Sequence, residues 1–389
     1  MTKGDGKPML EGVRVLDLTS VVFGPYATQL LVDLGADVIK VEEPKAGDAM
    51  RWSAPSAKTQ GLSPVFLALN HGKRSVALDL KAAEGKAHFL ELVKDADVLI
   101  LNQRANAARR LGLDYESIRE VNPDIIYAHC VGFGQSGPYA DHQAFDDIIQ
   151  AASGLTTLLS KVDGNPDPRY LPSFIVDKVS GLYAAQSVLA AIIHKLRTGE
   201  GQAIEIPMME AFSAFLLLEH LGGNTFIPPN GPGCYKRQID PDRQPFPAKD
   251  GAVSIVAYTD DAWPRLFKAL GDADFLNQEK FATRRLRFDN MESILKRVKE
   301  LTQALTVAEI VERCRAERLP AQAVRSIDDM LEEPHLKAVG FFKEREHPTE
   351  GRYVEIAPPV RFSAWTAAEF SPPAALGQHE GARWADKPA

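Results

Sequence analysis

Short apolar segments alternate with helix-length segments through the first half of the chain, and this alternation constrains the fold most. Strands are predicted at residues 13–18, 36–41, 75–80, 97–101 and 125–131, with helices at residues 26–34, 82–94 and 115–121. Strands that are apolar along their whole length are typical of parallel sheets covered on both faces. The pattern therefore predicts an α/β fold built on a doubly wound, Rossmann-like parallel sheet.

The composition changes after residue 221. Predicted helices at residues 145–152, 178–196 and 208–221 precede a segment rich in Pro and Gly at residues 222–233. A more charged and mostly helical stretch follows this segment, and the tail returns to extended structure. Because 389 residues exceed one typical core, we divide the chain into residues 1–222, 223–330 and 331–389.

Charge and composition exclude several classes of protein. The net charge of −7, without clustered Lys or Arg, argues against a nucleic-acid partner. No uninterrupted apolar run of about 18 residues and no signal-peptide core are present, so we expect a cytoplasmic protein that does not contact a membrane. Cys130, Cys234 and Cys314 form no paired pattern, which favours reduced thiols. The nine histidines have no metal-ligand spacing, so no metal site is expected.

A glycine motif follows the fifth predicted strand. Gly132, Gly134 and Gly137 match the spacing of a dinucleotide-binding turn, but a second turn rather than a helix comes next. We therefore favour a loop in which glycine allows close backbone approach over a nucleotide site.

Basic residues flank two of the predicted strands. Lys73 and Arg74 precede the strand at residues 75–80, where they could face solvent at a strand edge or hold phosphate groups. Asn102 and Arg110 follow the strand at residues 97–101, near the edge where open α/β sheets bind ligands. Ligand binding and an ordinary surface position both explain these two residues.

Asp177 stands at the start of a long apolar helix. An Asp at that place satisfies free backbone donors, so a helix N-cap explains its residue type completely. A carboxylate at a helix start is also oriented and ionised, which suits a nucleophile. Both interpretations remain open from the residues alone.

Taken together, these segments resemble the class III CoA transferases, which include formyl-CoA transferase, the carnitine CoA transferases and α-methylacyl-CoA racemase. The resemblance extends from LEGVRVLDLTSVVFGPYATQLLVDLGADVIKV at residues 10–41 through GKRSVALDLK, GLDYESIREVNPDIIYAHCVGFGQSGPYA, FDDIIQAASGL and RTGEGQAIEIPMMEAF. It implies a large domain built from both chain ends, with the smaller α+β domain inserted. It also implies an interlocked homodimer.

The resemblance assigns roles to individual residues. Asp177 becomes the catalytic aspartate, which carries CoA as an aspartyl-CoA thioester between an acyl-CoA and a carboxylic acid. CoA is then a substrate, and no tightly bound cofactor or metal is implied. The residues implied to contact the coenzyme are Leu78, Asp79, Leu80, Lys81, Asn102, Gln103, Arg104, Arg110 and Met208.

Two departures from the family pattern bear on function. Gln103, Ala105 and Asn106 replace an aromatic residue and a Pro-Gly turn, which changes the packing expected for the adenine end of CoA. Racemases of the family carry a histidine where this chain has Phe145, and phenylalanine cannot transfer a proton. Transfer of CoA is therefore favoured over racemisation of an acyl-CoA, which would need another proton-transfer group such as Asp146, Glu210 or His142.

Overall fold

The computed structural model describes residues 6–140, 142–367 and 369–385, and their contacts divide the chain into two units. The larger unit comprises the described residues up to Thr157, Pro168–Leu221 and those from Lys337 onward. The smaller unit comprises Leu158–Asp167 and Gly222–Leu336. Most of the smaller unit is thus inserted in sequence between two segments of the larger unit. The smaller unit also includes Leu158–Asp167, which lie within the predicted first domain.

A six-stranded sheet forms the centre of the larger unit. Its strands pair in the order β3-β2-β1-β4-β5-β6, and every pair is parallel. The strands are β1 (Arg14–Leu18), β2 (Asp37–Glu42), β3 (Arg74–Ala77), β4 (Val98–Leu101), β5 (Ile126–Val131) and β6 (Gln202–Pro207). The predicted parallel sheet is confirmed. Its strand order reverses between β1 and β4, where open α/β sheets bind ligands.

Helices cover both faces of this sheet. The helices of the larger unit up to residue 221 are α1 (Phe23–Val32), α2 (Pro64–Leu69), α3 (Ala83–Lys94), α4 (Ala105–Arg110), α5 (Tyr115–Val121), α6 (Asp146–Ala152), α8 (Ile175–Thr198) and α9 (Met208–His220). Helix α7 (Leu158–Asp163) belongs to the smaller unit. Leu16 shares a buried cluster with Phe89 of α3 and Ile118 of α5. Because side chains alternate along a strand, Asp17 points to the other face, where α1 packs on β1, β2 and β4, and α8 on β5 and β6.

The smaller unit has its own apolar core beneath a three-stranded antiparallel sheet. Phe267, Ile294 and Val298 are buried together in that core. Its elements beyond residue 221 are β7 (Phe246–Ala248), β8 (Gly251–Ile255), α10 (Ala262–Leu270), α11 (Arg284–Asp289), α12 (Met291–Gln303), α13 (Val307–Ala316) and β9 (Ala321–Ala323). The chain then continues through α14 (Pro334–Ala338) and an antiparallel pair, β10 (Phe342–His347) and β11 (Gly351–Ile356).

A buried group of charges lies between the sheet and α1. Asp17 of β1 is the register partner of Lys40 of β2, and its carboxylate accepts a hydrogen bond from Thr28 Oγ1 of α1 at 2.6 Å. Lys73 Nζ lies 3.3 Å from the same carboxylate. Burial alone would raise the pKa of Asp17, but the ammonium groups of Lys40 and Lys73 lower it to about 2. Asp17 therefore stays ionised and holds two strands and a helix together.

Neither predicted role for the basic residues before β3 is correct for Lys73. Its Nζ donates to Thr28 Oγ1 at 2.8 Å and to Asn70 Oδ1 at 3.0 Å, and the side chain is buried. A buried and fully bonded ammonium neither faces solvent nor reaches a phosphate. Arg74 Nη2 donates to both carboxylate oxygens of Asp37, at 2.6 and 2.7 Å, so its guanidinium is also engaged within the protein.

Helix α8 has the length of a membrane span, although polar residues interrupt its apolar sequence. Its 24 residues are long and apolar enough to cross a bilayer by length and composition. More than half of its apolar window is buried inside the protein, as in the core helix of a globular domain.

We predict that Asp17→Asn destabilises the fold strongly at pH 7. The substitution leaves the buried Lys73 ammonium without its carboxylate partner, whereas Lys40 keeps Asp48 at 2.9 Å. Removing one partner of a buried ion pair costs about 3–5 kcal/mol. Denaturant unfolding measures it, with Glu91→Ala as control, because Glu91 pairs with Lys94 only at the surface. The control should change stability by less than about 1 kcal/mol. Equal effects of the two substitutions would contradict the stabilising role of the buried group.

Candidate active site

Asp177 lies within the first turn of α8. The helix begins at Ile175, two residues before Asp177, and Phe174 is the N-cap residue. Asp177 is therefore the third helical residue, and the N-cap interpretation is wrong. The helix begins three residues before the predicted start at residue 178, because the preceding turn contains apolar residues without a typical capping side chain.

The carboxyl group of Asp177 is buried and has no hydrogen-bond partner among the described residues. Burial raises its pKa, the charges of Asp146 and Asp147 raise it further, and the result is a pKa of about 7. The expectation that the helix start keeps this carboxylate fully ionised is therefore wrong. A carboxyl group with a pKa of about 7 is partly protonated at neutral pH, and no hydrogen bond from the described residues fixes its orientation.

Two residues of α6 hold the backbone from which Asp177 projects. Asp146 Oδ2 accepts the N–H groups of Val176 and Asp177 at 2.9 and 3.1 Å, and Gln150 Nε2 donates to Asp146 Oδ1 at 2.5 Å. The sequence offered Asp146 only as a second proton-transfer group. Both of its oxygens instead accept hydrogen bonds, so its carboxylate is engaged as an acceptor. Its spacing of four residues from Gln150 on one helix face was the available signal.

The glycine loop after β5 packs closely against two carboxylates. Gly134 N donates to Glu210 Oε1 and Gln135 N to Glu205 Oε1, each at 3.0 Å. A Cβ at Gly134 would lie 2.3 Å from Glu210 Oε1, and one at Gly132 would lie 2.3 Å from the Cβ of Ala144. The favoured interpretation, glycine for close approach, is confirmed. Since these two N–H groups are engaged, they are not free to stabilise an oxyanion.

The segment from Leu78 to Lys81 leaves the sheet at the end of β3. The predicted strand at residues 75–80 ends earlier, at Ala77, so all four residues lie between β3 and α3. Leu78 and Leu80 pack against the sheet core, whereas Asp79 and Lys81 are exposed. Asp79 Oδ1 accepts the N–H of Lys81 at 2.9 Å, which holds the turn.

Four further predicted residues follow β4. Asn102 bonds the loop after β1, with Oδ1 accepting Ser20 N at 3.1 Å and Nδ2 donating to Ser20 O at 2.8 Å. Gln103 Oε1 is buried without a partner in the described part of the chain. Arg104 and Arg110 bracket α4 with exposed side chains that make no hydrogen bond or ion pair with described residues. The two arginines are available to a ligand, and the Asn102 amide is engaged within the fold.

Met208 is the remaining predicted coenzyme contact. It is the first residue of α9, directly after β6, and its side chain is buried. The structure places Leu78–Lys81 and Asn102–Arg110 at the same edge of the sheet, where β2 and β1 separate them by roughly 15 Å. Met208 directly follows the parallel strand β6 and so lies at this same edge, whereas Asp177 lies in the first turn of α8, which contacts both α6 and α9.

The raised pKa of Asp177 predicts a pH-dependent cost to the fold. Its folded-state pKa of about 7 exceeds the ordinary value of 3.8, so the ionised carboxylate destabilises the fold increasingly between pH 4 and pH 7. Asp177→Asn, which does not titrate, should gain about 2–4 kcal/mol relative to the parent protein between pH 4 and pH 8. Denaturant unfolding at several pH values measures the gain. Asp124→Asn is the control, because Asp124 is exposed. A pH-independent difference for Asp177→Asn would contradict the shifted pKa.

Comparison with known proteins identifies the family. The model of CoA-transferase family III matches residues 10–380. The succinate–glutarate CoA-transferase of Agrobacterium fabrum is 33% identical over 382 residues, which cover 96% of this chain and 94% of the relative. Human succinyl-CoA:glutarate CoA-transferase is 33% identical, with 95% and 84% covered. The crystal structure of Rv3272 from Mycobacterium tuberculosis superposes with a TM-score of 0.83 at 29% identity, with 97% and 99% covered. The chain belongs to CoA-transferase family III and is a class III CoA transferase.

Proposed function

We propose that this enzyme transfers CoA from an acyl-CoA donor to a carboxylic acid through an aspartyl-CoA thioester on Asp177. The observation that carries the proposal is the Asp177 carboxyl group, which is buried at the start of α8 and has no hydrogen-bond partner among the described residues. A nucleophilic carboxylate needs such freedom, because a bond to a neighbouring donor would have to break before attack.

The first half of the reaction loads CoA onto the enzyme. An oxygen of the Asp177 carboxylate attacks the thioester carbonyl of the donor, the C–S bond breaks, and CoA leaves as a thiolate. A mixed anhydride of Asp177 and the donor acid remains. The thiolate then attacks the Asp177 carbonyl, the anhydride C–O bond breaks, and the donor acid departs as a carboxylate. Asp177 now carries CoA as a thioester.

The second half repeats these steps in reverse with the acceptor. The acceptor carboxylate attacks the aspartyl thioester and releases CoA thiolate, and the thiolate then attacks the acceptor carbonyl of the new anhydride. The products are the acceptor acyl-CoA and a free Asp177 carboxylate. The free energy of the thioester is conserved only if water does not hydrolyse the thioester or anhydride intermediates. A buried nucleophile favours this exclusion of water.

The names of the relatives suggest the substrate class. The relatives from Agrobacterium and human are named for succinate or succinyl-CoA and for glutarate. We propose succinyl-CoA as a donor and a small dicarboxylate such as glutarate as an acceptor. The exposed side chains of Arg104 and Arg110 would hold the phosphates of CoA, since guanidinium groups pair well with phosphate.

Racemisation of an acyl-CoA is not favoured. Phe145 stands where a proton-transferring histidine would be required, and Asp146 already accepts hydrogen bonds on both oxygens. The relatives described above are named as CoA transferases.

A homodimer remains part of the proposal. Several large apolar side chains of α8 and α9 face solvent in the single chain, including Leu196 at 81% and Leu218 at 87% exposure. Exposed apolar surface of this kind marks interaction sites, and a second copy of the chain would cover it.

We predict that succinyl-CoA forms a covalent adduct on Asp177. Intact-protein mass spectrometry with hydroxylamine or borohydride trapping, followed by peptide mapping, detects it. Asp177→Ala should form no adduct and should lose at least about a thousandfold in kcat, as expected when a nucleophile is removed. Binding of CoA should persist in that variant. Appreciable turnover by Asp177→Ala, or an adduct elsewhere, would overturn the mechanism.

We also predict that Arg110→Ala raises the KM for succinyl-CoA by about tenfold or more, because it removes a charge-assisted contact to phosphate. The kcat should change little, since the contact is the same in ground and transition states. Arg109→Ala is the matched control on the same helix, where the Arg109 guanidinium bonds Asn106 at 3.3 Å. Equal KM values for the two variants would contradict the proposed contact between Arg110 and CoA.

A further inference from the structure

The first turn of α8 receives its cap from a different helix. A helix start leaves backbone N–H groups without partners, and Phe174, the N-cap residue, has no side chain that can accept them. Asp146 of α6 accepts two of these groups, Val176 N at 2.9 Å and Asp177 N at 3.1 Å, through one oxygen. The cap is buried, so water does not compete for these bonds.

Gln150 fixes the orientation of the capping carboxylate. Its Nε2 donates to Asp146 Oδ1 at 2.5 Å and to Leu171 O at 3.2 Å, and its Oε1 accepts Leu171 N at 2.9 Å. The amide cannot flip without losing the bond from Leu171 N. Asp146 and Gln150 thus form a bracket that holds both the chain entering α8 and the first turn of that helix.

We propose that Asp146 is a positioning residue for the Asp177 nucleophile, because it holds the backbone N–H of Asp177 itself and so determines where the Asp177 carboxylate lies. The inference rests on the proposed function, in which Asp177 attacks the thioester. Displacement of a reacting group by about 1 Å can reduce a rate about a hundredfold.

The charge of Asp146 acts in the same direction as its geometry. It raises the pKa of Asp177 in addition to burial, and Asp147 contributes as well. A more basic carboxylate is a better nucleophile, and its repulsion from Asp146 is relieved when Asp177 becomes a neutral anhydride or thioester. Other titratable groups on the elements packed against α8 do not shift the pKa of Asp177; they include Tyr26 of α1, His129 and Cys130 of β5, Glu205 of β6 and Glu210 of α9.

The test compares Asp146→Asn with Asp147→Asn. Each removes one negative charge from the same turn of α6, but Asp147 is exposed and makes no hydrogen bond to α8. In Asp146→Asn the amide nitrogen faces either the Gln150 donor or the N–H groups of α8, so the bracket loses a bond. The measurements are kcat and KM with succinyl-CoA, the pH profile of kcat/KM, and trapping of the Asp177 adduct.

For Asp146→Asn we expect kcat to fall about 10- to 100-fold while KM changes by less than about threefold. The acid limb of the pH profile should move down by about one unit, because a charge next to Asp177 has gone. Asp147→Asn should retain kcat within about threefold and move the acid limb less. Gln150→Ala should lower kcat without shifting the acid limb of the pH profile. If Asp146→Asn does not fold, Gln150→Ala tests the positioning role in its place.

The outcomes separate this inference from the proposed function. If the parent protein forms the Asp177 adduct and Asp146→Asn keeps its kcat, the positioning role is overturned and the transferase mechanism stands. If both α6 aspartate variants lose kcat equally, charge alone explains the effect and the positioning role is again overturned. If the parent protein forms no adduct on Asp177, the mechanism and the positioning role fall together.

Discussion

The parallel sheet must bury both of its faces, and the helix that covers β5 and β6 carries the buried Asp177 in its first turn. Helix α8 covers β5 and β6 and packs along α1, so its first turn cannot rely on water for its backbone donors. Asp146, which belongs to α6, accepts hydrogen bonds from two of these backbone donors. The same packing leaves Asp177 with only 6% exposure, and the candidate site therefore follows from how the sheet is covered.

The pKa values of two buried aspartates in the larger unit are shifted in opposite directions. Asp17 lies beside the ammonium groups of Lys40 and Lys73, and its pKa falls to about 2. Asp177 lies beside the carboxylates of Asp146 and Asp147, and its pKa rises to about 7. Desolvation opposes ionisation of both, so the sign of the neighbouring charge decides the outcome. Asp17 consequently serves as a permanent charge that joins strands to a helix, whereas Asp177 is partly protonated at neutral pH.

Local pattern predicted the sheet well because apolar strands and their connecting helices are properties of short segments. It failed where a side chain's partner is distant in sequence. Lys73 is predicted either to face solvent or to hold phosphate groups, but it bonds Asp17, 56 residues away. Asp146 was considered for proton transfer, although its partners stand 30 and 31 residues further along. The glycine loop was interpreted correctly, because the absence of a following helix was visible in the sequence itself.

Residue order and motifs within single segments specify the family and the parallel α/β architecture, and the resemblance to that family singles out Asp177 as the candidate nucleophile. Tertiary structure alone decided that Asp177 is not an N-cap, that its pKa is raised, and that α6 supplies the cap for α8. It also decided that the Asn102 amide is engaged by Ser20. These properties depend on which groups share a buried space, and the packing of distant segments creates that space.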